Sequence, residues 1–173
     1  MDIIEVIRTR RSIRSFKPDP IPKEDLMKIL EAAIWAPSAG NCQPWEFIVV
    51  TREDLKRSIA FAALGQMWIA EAPVVVVVCA NISRSERRYG ERGRNLYVIQ
   101  DTAAAIQNML LTAHALGYGT CWVGAFNESA VMKALNIPKG VRPVAIIPIG
   151  KPAESPLPPS RRPLEEVLHW ESY

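Results

Sequence analysis

Histidine and cysteine are scarce in this chain. His114 and His169 stand far apart and cannot build a metal cluster by themselves. Cys42, Cys79 and Cys121 are odd in number, and no pair has C-x-x-C spacing, so neither a disulfide framework nor a zinc site is indicated. A reducing cytoplasm is the expected compartment. Residues Met1 to Glu5 lack the basic and apolar regions of a secretory signal. The longest apolar run, Ala72 to Ala80, is much too short to span a bilayer, so no membrane partner is expected. A P-loop, a G-x-G-x-x-G fingerprint and a G-x-S-x-G nucleophile frame are all missing, as is any internal repeat. The net charge of +3 is too small to argue for nucleic acid, although it suits an anionic small ligand.

What is present is enough for one domain over residues 1–173 with a sizeable core. The 173 residues are 49% hydrophobic and 23% charged. Asp2 stands where it can cap a short amphipathic helix to Arg8. Lys23 to Trp35 repeats apolar residues at helical spacing, and Pro37 ends it. Trp45 to Thr51 reads as a strand, and Arg52 to Leu64 as a helix. Val74 to Ala80 does not alternate, which predicts a central strand buried on both faces. Asn81 to Arg94, with five arginines, reads as a polar, solvated excursion.

Asn95 to Leu116 is the longest helical pattern, with one stripe of Leu96, Ile99, Ala103, Ile106, Leu110 and Ala113 and an apolar neighbouring face of Val98, Ala105 and Met109, which predicts a helix buried in a core or between subunits. Asn127 caps a further helix to about Leu135. Pro143 to Gly150 is a strand in which Pro148 argues for an edge or a bulge. From Lys151 to Tyr173 the prolines predict a stiff extended arm. The alternation predicts an α+β or α/β three-layer domain.

Chemistry concentrates in a few stretches. Ala36 to Phe47 joins a helix to a buried strand through two prolines, Gly40 and the polar residues Ser38, Asn41 and Gln43, as small-molecule sites do. Arg10, Arg11, Ser12 and Arg14 form one basic cluster, and Arg161 and Arg162 form another. Guanidinium forks match phosphate geometry, so two such clusters meeting in the fold would bind a phosphate group. Around Cys121 to Val123, the small residues Gly119, Thr120 and Gly124 would let the backbone approach a flat ligand. No nucleophile–base pair is evident, which leaves the chemistry to a cofactor.

These stretches together resemble the flavin-dependent nitroreductase family, over nearly the whole chain. Arg10 to Phe16 looks like its flavin-phosphate motif, and Ala36 to Trp45 like its most recognisable signature. Gly117 to Gly124 and Arg161 to Leu164 resemble its third and C-terminal motifs. The resemblance implies a nitroreductase-like fold, a central mixed β-sheet flanked by helices, in an interlocked homodimer with FMN at the subunit interface. By the same resemblance Arg10, Arg11, Ser12 and Arg14 hold the FMN phosphate and ribityl chain with Arg161, and Arg162 instead of it or beside it. Pro37, Ser38, Ala39 and Asn41 reach the partner subunit's flavin ring. Val123 and Gly124 meet the ring's other face and edge, with one N–H near N5, and Gln66 contacts its pyrimidine side. No protein side chain is catalytic and no metal is implied.

The activity implied is ping-pong transfer of hydride from NADH or NADPH to FMN, and on to a small-molecule acceptor such as a nitroaromatic or quinone. Flavin-dependent dehalogenation, desaturation or flavin breakdown are alternatives on the same fold, as is a non-catalytic flavin-binding module.

Overall fold

The computed structural model describes residues 2–173. Four strands form one sheet in the order β1-β2-β4-β3: β1 (Trp45–Val50), β2 (Val74–Asn81), β3 (Gly119–Thr120) and β4 (Val141–Gly150). Every ladder is antiparallel. The α+β architecture holds, and the sheet's parallel component is one isolated bridge, Ser12 beside Thr120.

The valine run explains the layering. Val74, Val76 and Val78 face one core, where α2 (Lys23–Ile34) and α5 (Val98–Ala115) contribute Ile29, Ala33, Ala105, Ile106 and Met109. Val75, Val77 and Cys79 face the other, built with Ile59 of α3 (Glu53–Ala62) and Val131 of α6 (Glu128–Leu135). Each valine of the run is fully buried, worth roughly 1.5–3 kcal/mol apiece against exposure. Burial also raises the Cys79 thiol pKa to about 12, so it behaves as a core apolar group. The irregularity expected from Pro148 falls elsewhere: the β2–β4 register shifts between Val78 and Cys79.

Caps appear where the sequence places them. The Asp2 carboxylate accepts from the Glu5 N–H at 2.9 Å and opens α1 (Ile3–Thr9), and Asn127 accepts from the Ala130 N–H at 2.9 Å to open α6. Lys56 is buried, its ammonium donating to the Ala72 carbonyl at 2.8 Å while pairing with Glu53. Tyr118 donates to Asp25 Oδ2 at 2.7 Å, which ties the end of α5 to α2.

Two expectations are corrected. Asn81 to Arg94 is not a loop: Ile82–Arg92 form α4, followed by a π turn at Gly93–Tyr97 that feeds into α5. Arg and Glu are good helix formers, but only Ser85 of α4 is buried, so there was no apolar period to read. Gly90, at φ 55° and ψ −140°, bends the segment back. The stripe read for α5 is only partly buried: Ile99 and Ala103 are half-buried, while Ile106, Leu110 and Ala113 join the expected neighbouring face of Val98, Ala105 and Met109, with Thr102, in the core.

Among the described residues no helix is long and apolar enough to cross a membrane. The arm after Lys151 runs over the surface with apolar side chains in water, Leu157 at 88% and Trp170 at 79% exposure.

Candidate active site

Residues 10–16 run extended beside the sheet. The Ile13 N–H donates to the Thr120 carbonyl at 2.9 Å, and Ala153 N–H to the Ser15 carbonyl at 2.9 Å. Ile13 and Phe16 are buried anchors. Glu154 accepts from the Arg14 and Ser15 backbone N–H groups. This pairing brings the start of the arm against the first basic cluster, although some 140 residues separate them in sequence.

The result is a cavity of about 360 Å³ lined by Arg10, Arg11, Ser12, Arg14 and Arg161, with arm residues Pro156, Leu157 and Pro159. Arg10 is held below the usual guanidinium range by burial first, then by the Arg11 and Arg161 charges. Like charges gathered in a concavity create a field that an anion would relieve. Arg11 also donates to the carbonyls of Arg8 and Arg10, at 2.8 Å each, at the end of α1. Arg162 does not line the cavity; it is held by Glu166, with Nε 3.2 Å from Oε2.

A second cavity of about 300 Å³ shares Arg10 and Arg11 and reaches His114. Thr9 donates its hydroxyl proton to the Glu5 carbonyl at 2.7 Å, so His114 Nε2 is the donor in its 2.8 Å bond to Thr9 Oγ1. Burial, and then Arg10 and Arg11, lower the His114 pKa, which favours that neutral ring.

The loop after α2 is over-determined. Gly40, Asn41 and Gln43 all have left-handed backbone, at φ 52°, 56° and 50°. Ser38 Oγ accepts from the Gln43 N–H at 3.0 Å, and the Ser38 and Ala39 carbonyls accept from Asn41 and Cys42. Asp101 Oδ1, from α5, accepts from the Ala39 N–H at 3.0 Å. Arg84 donates to the Cys42 carbonyl at 2.8 Å and Arg88 to the Gly40 carbonyl at 2.6 Å. Pro37 and Asn41 stay exposed, and Ser38 and Ala39 half-buried.

The turn after β3 divides its roles. Val123 exchanges both backbone bonds with Ile146 at 3.0 Å, so its N–H is spent on the sheet. Gly124 is exposed, with open space where a side chain would stand, and is the residue of the pair that can present its N–H to a ligand. Gly119 has the opposite character: a Cβ there would lie 2.7 Å from Ile13 Cγ1, so its missing side chain makes room for Ile13 and not for a ligand. Gln66 donates to the carbonyls of Ala63 at 2.8 Å and Ala125 at 3.3 Å, which leaves its amide oxygen to a ligand.

The structure thus brings Arg10, Arg11, Ser12, Arg14 and Arg161 together. Among the described residues, neither arginine-lined cavity includes Pro37, Ser38, Ala39, Asn41, Gln66, Val123 or Gly124. Sequence reasoning missed Glu154 and Asp101, and placed Arg84 and Arg88 in the excursion without their bonds to the loop. The spacing of Arg84, Arg88 and Arg92 at i, i+4 was the available signal for a helix face. Among the described residues, Arg84, Arg88, Arg92 and Arg94 have partners, namely Cys42, Gly40, Tyr97 and Glu86.

Asp101 carries a pH prediction. Its Oδ2 is buried without a partner, and burial raises its pKa, against the pull of the Ala39 N–H. The folded protein therefore holds this proton to higher pH than the unfolded chain does. Stability falls as pH rises from the ordinary carboxyl range through the raised value. Asp101→Asn keeps an acceptor for Ala39 and is expected to abolish that slope; Asp101→Ala loses the slope too, and is expected to cost about 1 kcal/mol at low pH and less as pH rises. Urea unfolding between pH 4 and neutrality checks both, and an unchanged slope in Asp101→Asn would contradict the assignment.

The family model described as the nitroreductase family matches residues 7–73 and 62–151. The chain is 40% identical over 160 residues to a Methanothermobacter thermautotrophicus protein provisionally named an NADH dehydrogenase/NAD(P)H nitroreductase, covering 90% of this chain and 80% of that one. It is 32% identical over 185 residues to a Bacillus subtilis FMN reductase [NAD(P)H], covering 99% and 74%. The solved NADPH:FMN oxidoreductase of Vibrio harveyi, complexed with NAD+, superposes with a TM-score of 0.91 at 26% identity, covering 99% of this chain and 77% of that one.

Proposed function

The chain belongs to the nitroreductase family, and from that premise we infer its function. It is an NAD(P)H-dependent flavin oxidoreductase that uses FMN. The observation that carries the reading is the convergence of Arg10, Arg11 and Arg161 on one cavity from opposite ends of the chain. Three guanidiniums with a hydroxyl at Ser12 suit a phosphate monoester, since each fork donates to phosphate oxygens and keeps its charge.

In this reading Arg10, Arg11, Ser12, Arg14 and Arg161 hold the FMN phosphate and ribityl chain. Arg162, bound to Glu166, serves the arm's own fold. Gly124 offers its N–H to the ring edge, and the Gln66 amide oxygen accepts on the pyrimidine side. Pro37, Ser38, Ala39 and Asn41 serve the flavin of a second subunit. Their separation from the arginine cavity supports a homodimer, as do the exposed Leu157 and Trp170 of the arm. One FMN-binding domain over residues 1–173 is proposed, with the 151–173 arm as its dimer strap. The free thiols Cys42, Cys79 and Cys121 suit the cytoplasm.

When bound, FMN would supply the redox chemistry, a ping-pong transfer of hydride equivalents from NADH or NADPH to a nitroaromatic, quinone or similar acceptor. The chain's part is to bind, orient and shield it; no side chain here acts as acid or base.

Purified protein is expected to be yellow, and anaerobic NADH or NADPH is expected to bleach it. A colourless protein that does not take up added FMN would overturn this function. A yellow protein that neither nucleotide bleaches would favour a flavin-binding module.

A further inference from the structure

We propose that Arg84 and Arg88 are positioning residues, which lock the backbone of residues 38–43 in the shape that presents Pro37, Ser38 and Asn41 to flavin. The inference rests on the functional reading above, in which this loop serves the cofactor.

The need for a lock comes from the loop's conformation. Asn41 and Gln43 sit in the left-handed region, at φ 56° and 50°. Non-glycine residues there are strained, a state that persists only where the surroundings dictate it. The loop's own bonds use the carbonyls of Ser38 and Ala39. The carbonyls of Gly40 and Cys42 point outward from that turn, and the two guanidiniums take them, at 2.6 and 2.8 Å. Bonds from a charged donor are worth about twice a neutral one.

Helix geometry makes the pairing possible. Arg84 and Arg88 are four residues apart and share a face of α4. That face lies directly on the loop: a Cβ at Gly40 would stand 2.3 Å from Tyr89 Oη and 2.6 Å from Arg88 Cζ. Gly40 is thus required for its conformation and for the helix above it. Arg88 is itself oriented by the Tyr89 ring, with Cζ 5.6 Å from the centroid.

The other side of the loop is gripped from α5, where Asp101 takes the Ala39 N–H. The bend at Gly90 and the π turn fold α4 back towards α5. Gly93 fits so closely under Ser85 that a Cβ would lie 2.4 Å from the Ser85 carbonyl. Carboxylate and guanidiniums therefore close on opposite backbone groups of one short loop. Bulk solubility would not require arginine at these two positions. Arg87, exposed on the same helix, is the internal control.

The test compares wild type with Arg84→Ala, Arg88→Ala, their combination, Arg88→Lys and Arg87→Ala. Far-UV circular dichroism establishes that each folds. Amide hydrogen exchange of the cofactor-free proteins reads the loop, and FMN fluorescence reads affinity. In the double variant, exchange at Asn41, Cys42 and Gln43 should accelerate while β2 is unchanged. FMN affinity should fall about tenfold in each single variant and further in the double, the scale of one charge-assisted bond. Arg88→Lys should recover part of the loss, because an ammonium can still donate to one carbonyl, and Arg87→Ala should match wild type.

A double variant with wild-type loop exchange overturns the proposal, and so does faster exchange without weaker FMN binding. Wild-type protein that fails to bind FMN overturns the functional reading itself, and is seen before any variant is compared.

Discussion

Arg10→Ala is expected to weaken FMN binding by about one to two decades, from the loss of charge-assisted hydrogen bonds worth roughly 1.5–3 kcal/mol. Combined with Arg161→Ala the loss should be larger still, since both residues line the same cavity. The cofactor-free variants should nevertheless be no less stable than wild type. Arg10 is depressed by burial and by the charges of Arg11 and Arg161, so removing one charge relieves a repulsion. Weaker binding without lost stability distinguishes a ligand site from a structural cluster.

Inorganic phosphate supplies an independent check. It should raise the melting temperature of the cofactor-free wild type by mass action and do so less in the double variant. Unchanged FMN titrations in both variants would place the phosphate elsewhere.

Gly119→Val is expected to cost about 3 kcal/mol, the upper end of what overpacking typically costs, and to lower the melting temperature by about 6–12 °C for a domain of this size. A Cβ at Gly119 would lie 2.7, 2.9 and 3.0 Å from Ile13 Cγ1, Cβ and Cγ2. These contacts leave little slack, because Ile13 is buried and its branched Cβ is stiff. The damage should also reach the flavin. The Ile13 N–H bonds to the Thr120 carbonyl, and Arg10, Ser12 and Arg14 lie on the same short segment. Pushing Ile13 away from β3 displaces those phosphate groups.

FMN affinity and stability should therefore fall together here, in contrast to Arg10→Ala. Gly119→Ala should show the same effects more weakly, and Ile13→Ala in that background should restore part of the FMN affinity. Wild-type melting in Gly119→Val would mean that the neighbours absorb the clash.

These variants also mark how far the sequence could be read. The caps at Asp2 and Asn127, the helix from Lys23 and the twice-buried valine strand were legible, because periodicity and capping chemistry are local. Helix α4 was not. Its only buried side chain is Ser85, so its hydrophobic pattern was silent even though its arginine spacing was helical. The stripe of α5 was only partly right, because its neighbouring face is apolar too and sequence alone does not say how the two divide against the sheet.

The two glycines of the third motif show the same limit. Gly119 and Gly124 read alike as places for a ligand to approach, yet one is filled by Ile13 and the other is open. Val123 and Gly124 likewise offered one N–H between them, and the bridge to Ile146 decided which.

By itself, then, the sequence determined where most elements begin and end and which strand is central. Those properties depend on neighbours within a turn or two along the chain. Tertiary structure alone decided that Arg161 joins Arg10 while Arg162 turns to Glu166. It also decided that two arginines of α4 grip the 38–43 loop where only a solvated excursion was expected. Guanidiniums have the same chemistry wherever they occur. Their roles were set by which carbonyl, carboxylate or like charge the fold placed within reach.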